Sequence, residues 1–160
     1  MTEPAFDELL RRLVIGDVRF VLIGGLAVNA WGVVRGTKDI DIVPDPNPDN
    51  LGRLAEVMVA VGGHVQTETA LAGSRFSIAA LLANSDRVLI ETTLGPLDVF
   101  QGLPGVPPYA RLHRAATEVE IAGVRIAVCS LEDLRAMKRT AGRARDLADL
   151  EDLGVAHDDG

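Results

Sequence analysis

The sequence predicts an α/β (α+β) domain, a mixed β-sheet with helices packed mainly on one face. Three observations carry that prediction. The first sixty residues contain short apolar runs that alternate with segments of helical period, in the order β-α-β-α. Two strand pairs of hairpin type follow, and the chain then returns to helical periodicity. A length of 160 residues suits one domain with a real core, and 48% hydrophobic with 24% charged residues is an ordinary globular composition. Residues 1–160 are therefore taken as one domain, with the helices of 131–154 part of it and 155–160 expected as a flexible tail.

Each element has a local reason. Phe6, Leu9, Leu10 and Leu13 recur at helical spacing and predict an amphipathic helix over 5–15. Residues 19–23 form an apolar strand that Gly24-Gly25 ends, and a helix follows over 26–31. A second strand over 38–43 is stopped by Pro44, Pro46 and Pro48. Asp49 or Asn50 is placed to cap a helix over 50–61, which Gly62-Gly63 terminates. The stretch 64–84 stays open, because 77–82 suits strand or helix equally. Residues 88–93 and 97–100 read as a hairpin about Gly95-Pro96, and 117–121 with 124–128 as a second about Ala122-Gly123. A Gly/Pro-rich loop over 102–108 and a short helix lie between them. Ser130-Leu-Glu-Asp133 has the form of a capping box for a helix to about 140, and a last helix spans 145–153.

The chemistry concentrates in Ile23-Gly24-Gly25 and in the run from Arg35 through Asp39-Ile-Asp41 to Val43. Strand side chains alternate, so Asp39 and Asp41 share a face while Ile40 and Ile42 turn to the core. Two adjacent carboxylates in a half-buried place repel, and a hard divalent cation with oxygen ligands relieves them, magnesium being the natural one. The glycine pair lets the backbone approach a ligand, and the helix after it has amides free to face a phosphate. A two-metal site needs a third acid, and Asp98, mid-strand between Leu97 and Val99, is the candidate. Arg35 is expected to reach phosphate with its guanidinium fork, whereas Lys38 is expected on a solvated face. Lys138, Arg143 and Arg145 form either a second phosphate- or acceptor-binding wall or a surface paired with Asp146 and Asp149.

Other classes are excluded or set aside. Neither Gly-x-Gly-x-x-Gly nor the P-loop string occurs. His64, His113 and His157 lie apart with no ligand spacing for zinc, and Ser130 belongs to no triad. The single cysteine, Cys129, excludes an internal disulfide and is expected buried, as Trp31 and Met137 are expected on apolar helix faces. A net charge of −7 opposes an extended nucleic-acid footprint, although five basic residues and no acidic one lie between Arg135 and Arg145. No apolar run is long enough to span a bilayer and the N-terminus lacks a basic signal start, so a cytoplasmic location without membrane attachment is expected.

Gly24-Gly25, the Asp39-x-Asp41 pair and the later Asp98 resemble the DNA polymerase β-type nucleotidyltransferase superfamily. With the string Ser130-Leu-Glu-Asp-Leu, Lys138, Gly142-Arg143 and Arg145-Asp146-Leu-Ala-Asp149, the chain looks like its small bacterial AbiEii-like, toxin–antitoxin members. The resemblance implies the nucleotidyltransferase fold and transfer of a nucleoside monophosphate from an NTP, with release of pyrophosphate. It implies two magnesium ions held by Asp39, Asp41 and Asp98, and nucleotide contacts from Gly24, Gly25, Arg35, Lys138 and Arg143. The acceptor hydroxyl belongs to tRNA, to a protein or to a small molecule, and a toxin or antitoxin partner is implied. The alternative is a non-catalytic nucleotide- or protein-binding module of the same fold. Two departures stand out: Leu26 occupies the place where many members carry a phosphate-contacting serine, and little lies beyond the catalytic module.

Overall fold

The computed structural model describes residues 5–158. In chain order these form α1 (Phe6–Ile15), β1 (Phe20–Ile23), α2 (Gly24–Ala30), β2 (Ile40–Pro44), α3 (Pro48–Ala60), β3 (Val65–Gln66), β4 (Leu71–Ala72) and α4 (Arg75–Asn84). There follow β5 (Arg87–Ile90), β6 (Leu97–Phe100), α5 (Tyr109–Ala115), β7 (Thr117–Ile121), β8 (Val124–Val128), α6 (Leu131–Ala141) and α7 (Ala144–His157).

Six strands form one mixed sheet in the order β5-β6-β2-β1-β8-β7. The β2–β6 and β1–β8 neighbours are parallel, and the other neighbours are antiparallel. Alternation sorts the two faces. Phe20, Leu22, Ile40, Ile42, Leu97, Val99, Val88, Ile90, Ile126 and Val128 fall on one face by register, and all are buried. They form one core cluster with Leu9, Leu10 and Leu13 of α1, Leu51, Leu54 and Met58 of α3, and Ile78 and Leu82 of α4. The opposite face carries Asp41, Asp98, Arg87 and Phe100 at its β2–β6–β5 end. A sheet with one greasy and one partly polar face is what period-two alternation produces when helices cover one side.

Several boundaries differ from the sequence expectation, each for a local reason. The second strand begins at Ile40, not at 38: pairing starts where the Ile40 amide bonds the Pro96 carbonyl at 3.0 Å, while the Thr37 hydroxyl bonds the Asp39 carbonyl at 3.1 Å. Asp39 therefore lies in a bend just before β2. The third helix is capped by Asn47, whose side chain accepts from the Asp49 amide, with Pro48 in its first turn. Asn50 is instead buried, tying the helix to the Arg19 amide at 2.7 Å and the Arg19 carbonyl at 2.9 Å. The open stretch holds the small β3–β4 pair and then a helix opened by a Ser74–Ser77 capping box. Ser130 caps α6 as expected, accepting from the Asp133 amide at 3.0 Å.

Residues expected as a tail from 155 continue α7 through His157, whose Nε2 contacts the Trp31 carbonyl. Residues 159–160 lie outside the described part. Cys129 is buried as expected, and burial pushes its thiol up to about 12. Among the described residues no helix is long and apolar enough to cross a membrane.

Candidate active site

The glycine turn, β2 and β6 meet at one end of the sheet, where a cleft of about 410 Å³ opens. Register puts Asp41 beside Asp98 on neighbouring parallel strands, and Asp39 closes the group from the bend before β2. One carboxylate oxygen from each of Asp39, Asp41 and Asp98 lies within 4.8 Å of the others. The three predicted acids thus converge, although Asp39 reaches the group from outside the strand.

Their electrostatics are poor without a cation. Burial, then the charges of Asp39 and Asp98, push the Asp41 carboxyl up to about 8, and the charge of Lys138 offsets this only in part. Asp41 Oδ1 is buried and, among the described residues, has no hydrogen-bond partner. An orphaned buried carboxylate oxygen among two further carboxylates is the donor set of a hard divalent ion, so these residues fit magnesium.

Gly24 is required by this packing. It has φ +68°, and a Cβ there would stand 2.0 Å from Asp41 Oδ2. A Cβ on Gly25 would meet Thr37 Oγ1 at 2.6 Å and Arg35 Nη2 at 3.2 Å. The missing side chains keep the backbone of α2's first turn open to the cleft. Leu26, where a serine was expected by resemblance, packs against the core instead. A hydroxyl is nonetheless present beside the turn, on Thr37.

The cations are organised less simply than the sequence expectation had it. Arg35, Lys138 and Arg143 all line the cleft, but each is held by a carboxylate of α7. Arg35 Nε lies 2.8 Å from Asp149 Oδ1, and Nη2 donates to Oδ2 at 3.0 Å. Lys138 Nζ bridges Asp149 Oδ2 at 2.9 Å and Asp146 Oδ1 at 3.2 Å. Arg143 Nε donates to Asp146 Oδ2 at 2.7 Å. Burial raises the Asp146 carboxyl, but the hydrogen bonds from Arg143 and Lys138 outweigh it and leave the group below the ordinary range. The pairing of the basic segment with Asp146 and Asp149, one of the two sequence alternatives, is the arrangement found. Arg145 bonds the Gly36 carbonyl at 2.9 Å, Lys38 is exposed at the mouth, and Met137, expected in the core, packs on it and also lines the cleft.

Sequence reasoning missed Arg87. It sits on β5 opposite Phe100, and its guanidinium grips Asp98 with Nε–Oδ1 at 3.0 Å and Nη2–Oδ2 at 2.7 Å. The signal was available: the hairpin register places Arg87 on the face of Asp98.

No protein-family model matches the sequence, and no curated protein matches it. Solved structures do. A crystal structure of ANT(2'')-Ia in complex with adenylyl-2''-tobramycin aligns over 94% of this chain and 86% of its own, at 17% identity and a TM-score of 0.62. The lincosamide antibiotic adenylyltransferase LnuA, lincomycin-bound, aligns over 96% of both chains at 18% identity and a TM-score of 0.65. An antigenic nucleotidyltransferase-like protein from Paracoccidioides brasiliensis aligns over 92% of this chain and 72% of its own, at 17% identity and 0.63. The chain has the nucleotidyltransferase fold. Within that fold, the glycine turn after β1 and the acids of β2 and β6 line one cleft with Lys138 of α6, Arg143 at the cap of α7 and Arg35 from the segment before β2.

Proposed function

We propose that this chain is a magnesium-dependent nucleotidyltransferase that moves a nucleoside monophosphate from an NTP to the hydroxyl of a small acceptor, releasing pyrophosphate. The observation that carries the reading is the convergence of Asp39, Asp41 and Asp98, with the orphaned Asp41 Oδ1, beside a glycine turn stripped of side chains. Magnesium, when bound, would neutralise triphosphate charge and make the attacking oxygen a better nucleophile. Asp39 and Asp41 would hold it, with Asp98 as the third ligand.

The chain's own residues divide the work by position. Gly24 and Gly25 leave room for phosphate oxygens next to Asp41, and Thr37 offers a hydroxyl there. Arg35, Lys138 and Arg143 contribute positive potential while Asp146 and Asp149 fix their placement. The strand order supports an acceptor on the other flank: Asp98 and Arg87 lie successively farther from the turn, with Phe100, Leu103 and Val106 also on the cleft wall. In this reading Asp98 would take the acceptor's hydroxyl proton.

A small acceptor is favoured over tRNA or protein for two reasons. The net charge is −7, and LnuA, matched over 96% of its own length, is lincomycin-bound. A toxin–antitoxin role with a tRNA or protein acceptor rests on the sequence resemblance, and a cytoplasmic location follows from the NTP requirement. A second reading, a nucleotide-binding module without transfer, is supported by the pairing of Arg35 and Lys138 with buried carboxylates.

The deciding experiment incubates each α-labelled NTP and magnesium with hydroxylated small molecules (aminoglycosides and lincosamides included), total tRNA or lysate protein. The Asp39→Asn/Asp41→Asn double variant runs beside it. Label on a small molecule, lost in the variant, is expected. Label on RNA or protein would replace the acceptor class. Metal-dependent NTP binding with no transfer to anything would favour the binding module.

A further inference from the structure

Asp98 is a carboxylate with a 3% exposed side chain, next to Asp41 on the adjacent strand and within reach of Asp39. A charge so placed needs a counter-cation. Arg87 supplies it with three contacts, Nε to Oδ1 at 3.0 Å, Nε to Oδ2 at 3.2 Å and Nη2 to Oδ2 at 2.7 Å, so both oxygens are engaged.

The two partners are unequal in their surroundings. The Arg87 side chain is 57% exposed, and its guanidinium carbon stands 5.4 Å from the Phe100 ring centroid. Asp98 is fixed by the sheet, whereas Arg87 is free to turn outward without opening the core. A divalent ion among the three acids needs a lone pair of Asp98 and repels a guanidinium seated on the same carboxylate.

We propose that Arg87 is a stand-in cation: it neutralises Asp98 in the metal-free protein, competes with the divalent ion for that carboxylate, and leaves it when the ion binds. The inference rests on the metal centre proposed above. Arg87 is thus a positioning residue that keeps three mutually repelling acids folded together and sets the threshold of metal occupancy. Phe100 gives the displaced guanidinium an aromatic face beside the cleft.

Manganese affinity tests this directly, read by the electron-spin signal of free Mn2+ for wild type, Arg87→Ala, Arg87→Lys and Arg87→Gln. Arg87→Ala should bind Mn2+ about tenfold more tightly, the scale of one lost charge-assisted contact, with Arg87→Lys intermediate. A damaged fold would weaken binding, so tightening separates competition from general disruption. Arg87→Gln serves if the alanine variant does not fold. Unchanged or weaker binding in the folded variants, with wild type binding normally, overturns the stand-in role alone. No Mn2+ binding by wild type or any variant overturns the metal centre and the stand-in role together.

Discussion

Lys138 Nζ lies 2.9 Å from Asp149 Oδ2, and neither side chain is more than 9% exposed. The contact joins α6 to α7 beneath the cleft wall. Asp149 also takes the Arg35 guanidinium from the segment before β2, so one carboxylate serves two nearly buried cations. Removing it leaves both without that counter-charge, and breaking a buried pair typically costs about 3–5 kcal/mol. Asp149→Ala is therefore expected to lower the melting temperature by roughly 6–20 °C at this chain length. A fall of only a degree or two would show that Asp146 or water holds the cations instead.

The glycine turn makes a sharper prediction, because it concerns one atom. A methyl group at Gly24 would collide with Asp41 at 2.0 Å while the backbone keeps φ +68°. Gly24→Ala should displace the Asp41 carboxylate and weaken Mn2+ binding by about tenfold or more, the scale seen when a ligand's support is removed. The strained backbone should cost about 1–3 kcal/mol besides. Calorimetric Mn2+ titration with a parallel melt checks both, and a variant that binds metal normally would remove Asp41 from the ligand set.

Thr37 tests whether the Leu26 departure is compensated. Its hydroxyl lies 2.6 Å from where a Gly25 Cβ would stand, and among the described residues it bonds only the Asp39 carbonyl. Thr37→Val keeps the shape and deletes one hydrogen-bonding group, so NTP affinity should fall about fivefold. Unchanged affinity by fluorescent-nucleotide competition would leave phosphate binding to the backbone and the cations.

The elements most legible in the sequence were those whose signal is local. The Gly24-Gly25 turn and the Ser130 cap announce themselves within a few residues, and the structure realises both; the Asp-x-Asp pair converges as well, but with Asp39 in the bend before β2 and not on the strand. What stayed hidden depends on contacts distant in the chain. Asn50 looked like a cap but is buried against Arg19, a pairing 31 residues apart. Arg35 looked free for phosphate, yet its partner Asp149 is 114 residues away. The stretch 64–84 stayed open, with 77–82 suiting strand or helix equally, because α4 buries only Ile78 and Leu82 and exposes Phe76, leaving no amphipathic stripe to read.

Asp41 has its carboxyl pushed from an ordinary 3.8 to about 8 by burial and by its acidic neighbours. Between those values the folded chain binds a proton that the unfolded chain has released, so stability must fall as pH rises through this window. A melt in EDTA should therefore show the melting temperature declining from about pH 5 to pH 8 and levelling above it. Asp41→Asn removes the titrating group and the repulsion, so its curve should be flatter and higher at pH 8 than wild type. A divalent ion reverses the dependence, since it binds the ionised carboxylates and displaces that proton. Stabilisation by magnesium should then grow from pH 6 to pH 8. A metal-free melting temperature that rises over the same range, or an Asp41→Asn variant less stable than wild type at pH 8, would mean that the three carboxylates are not crowded in the folded protein.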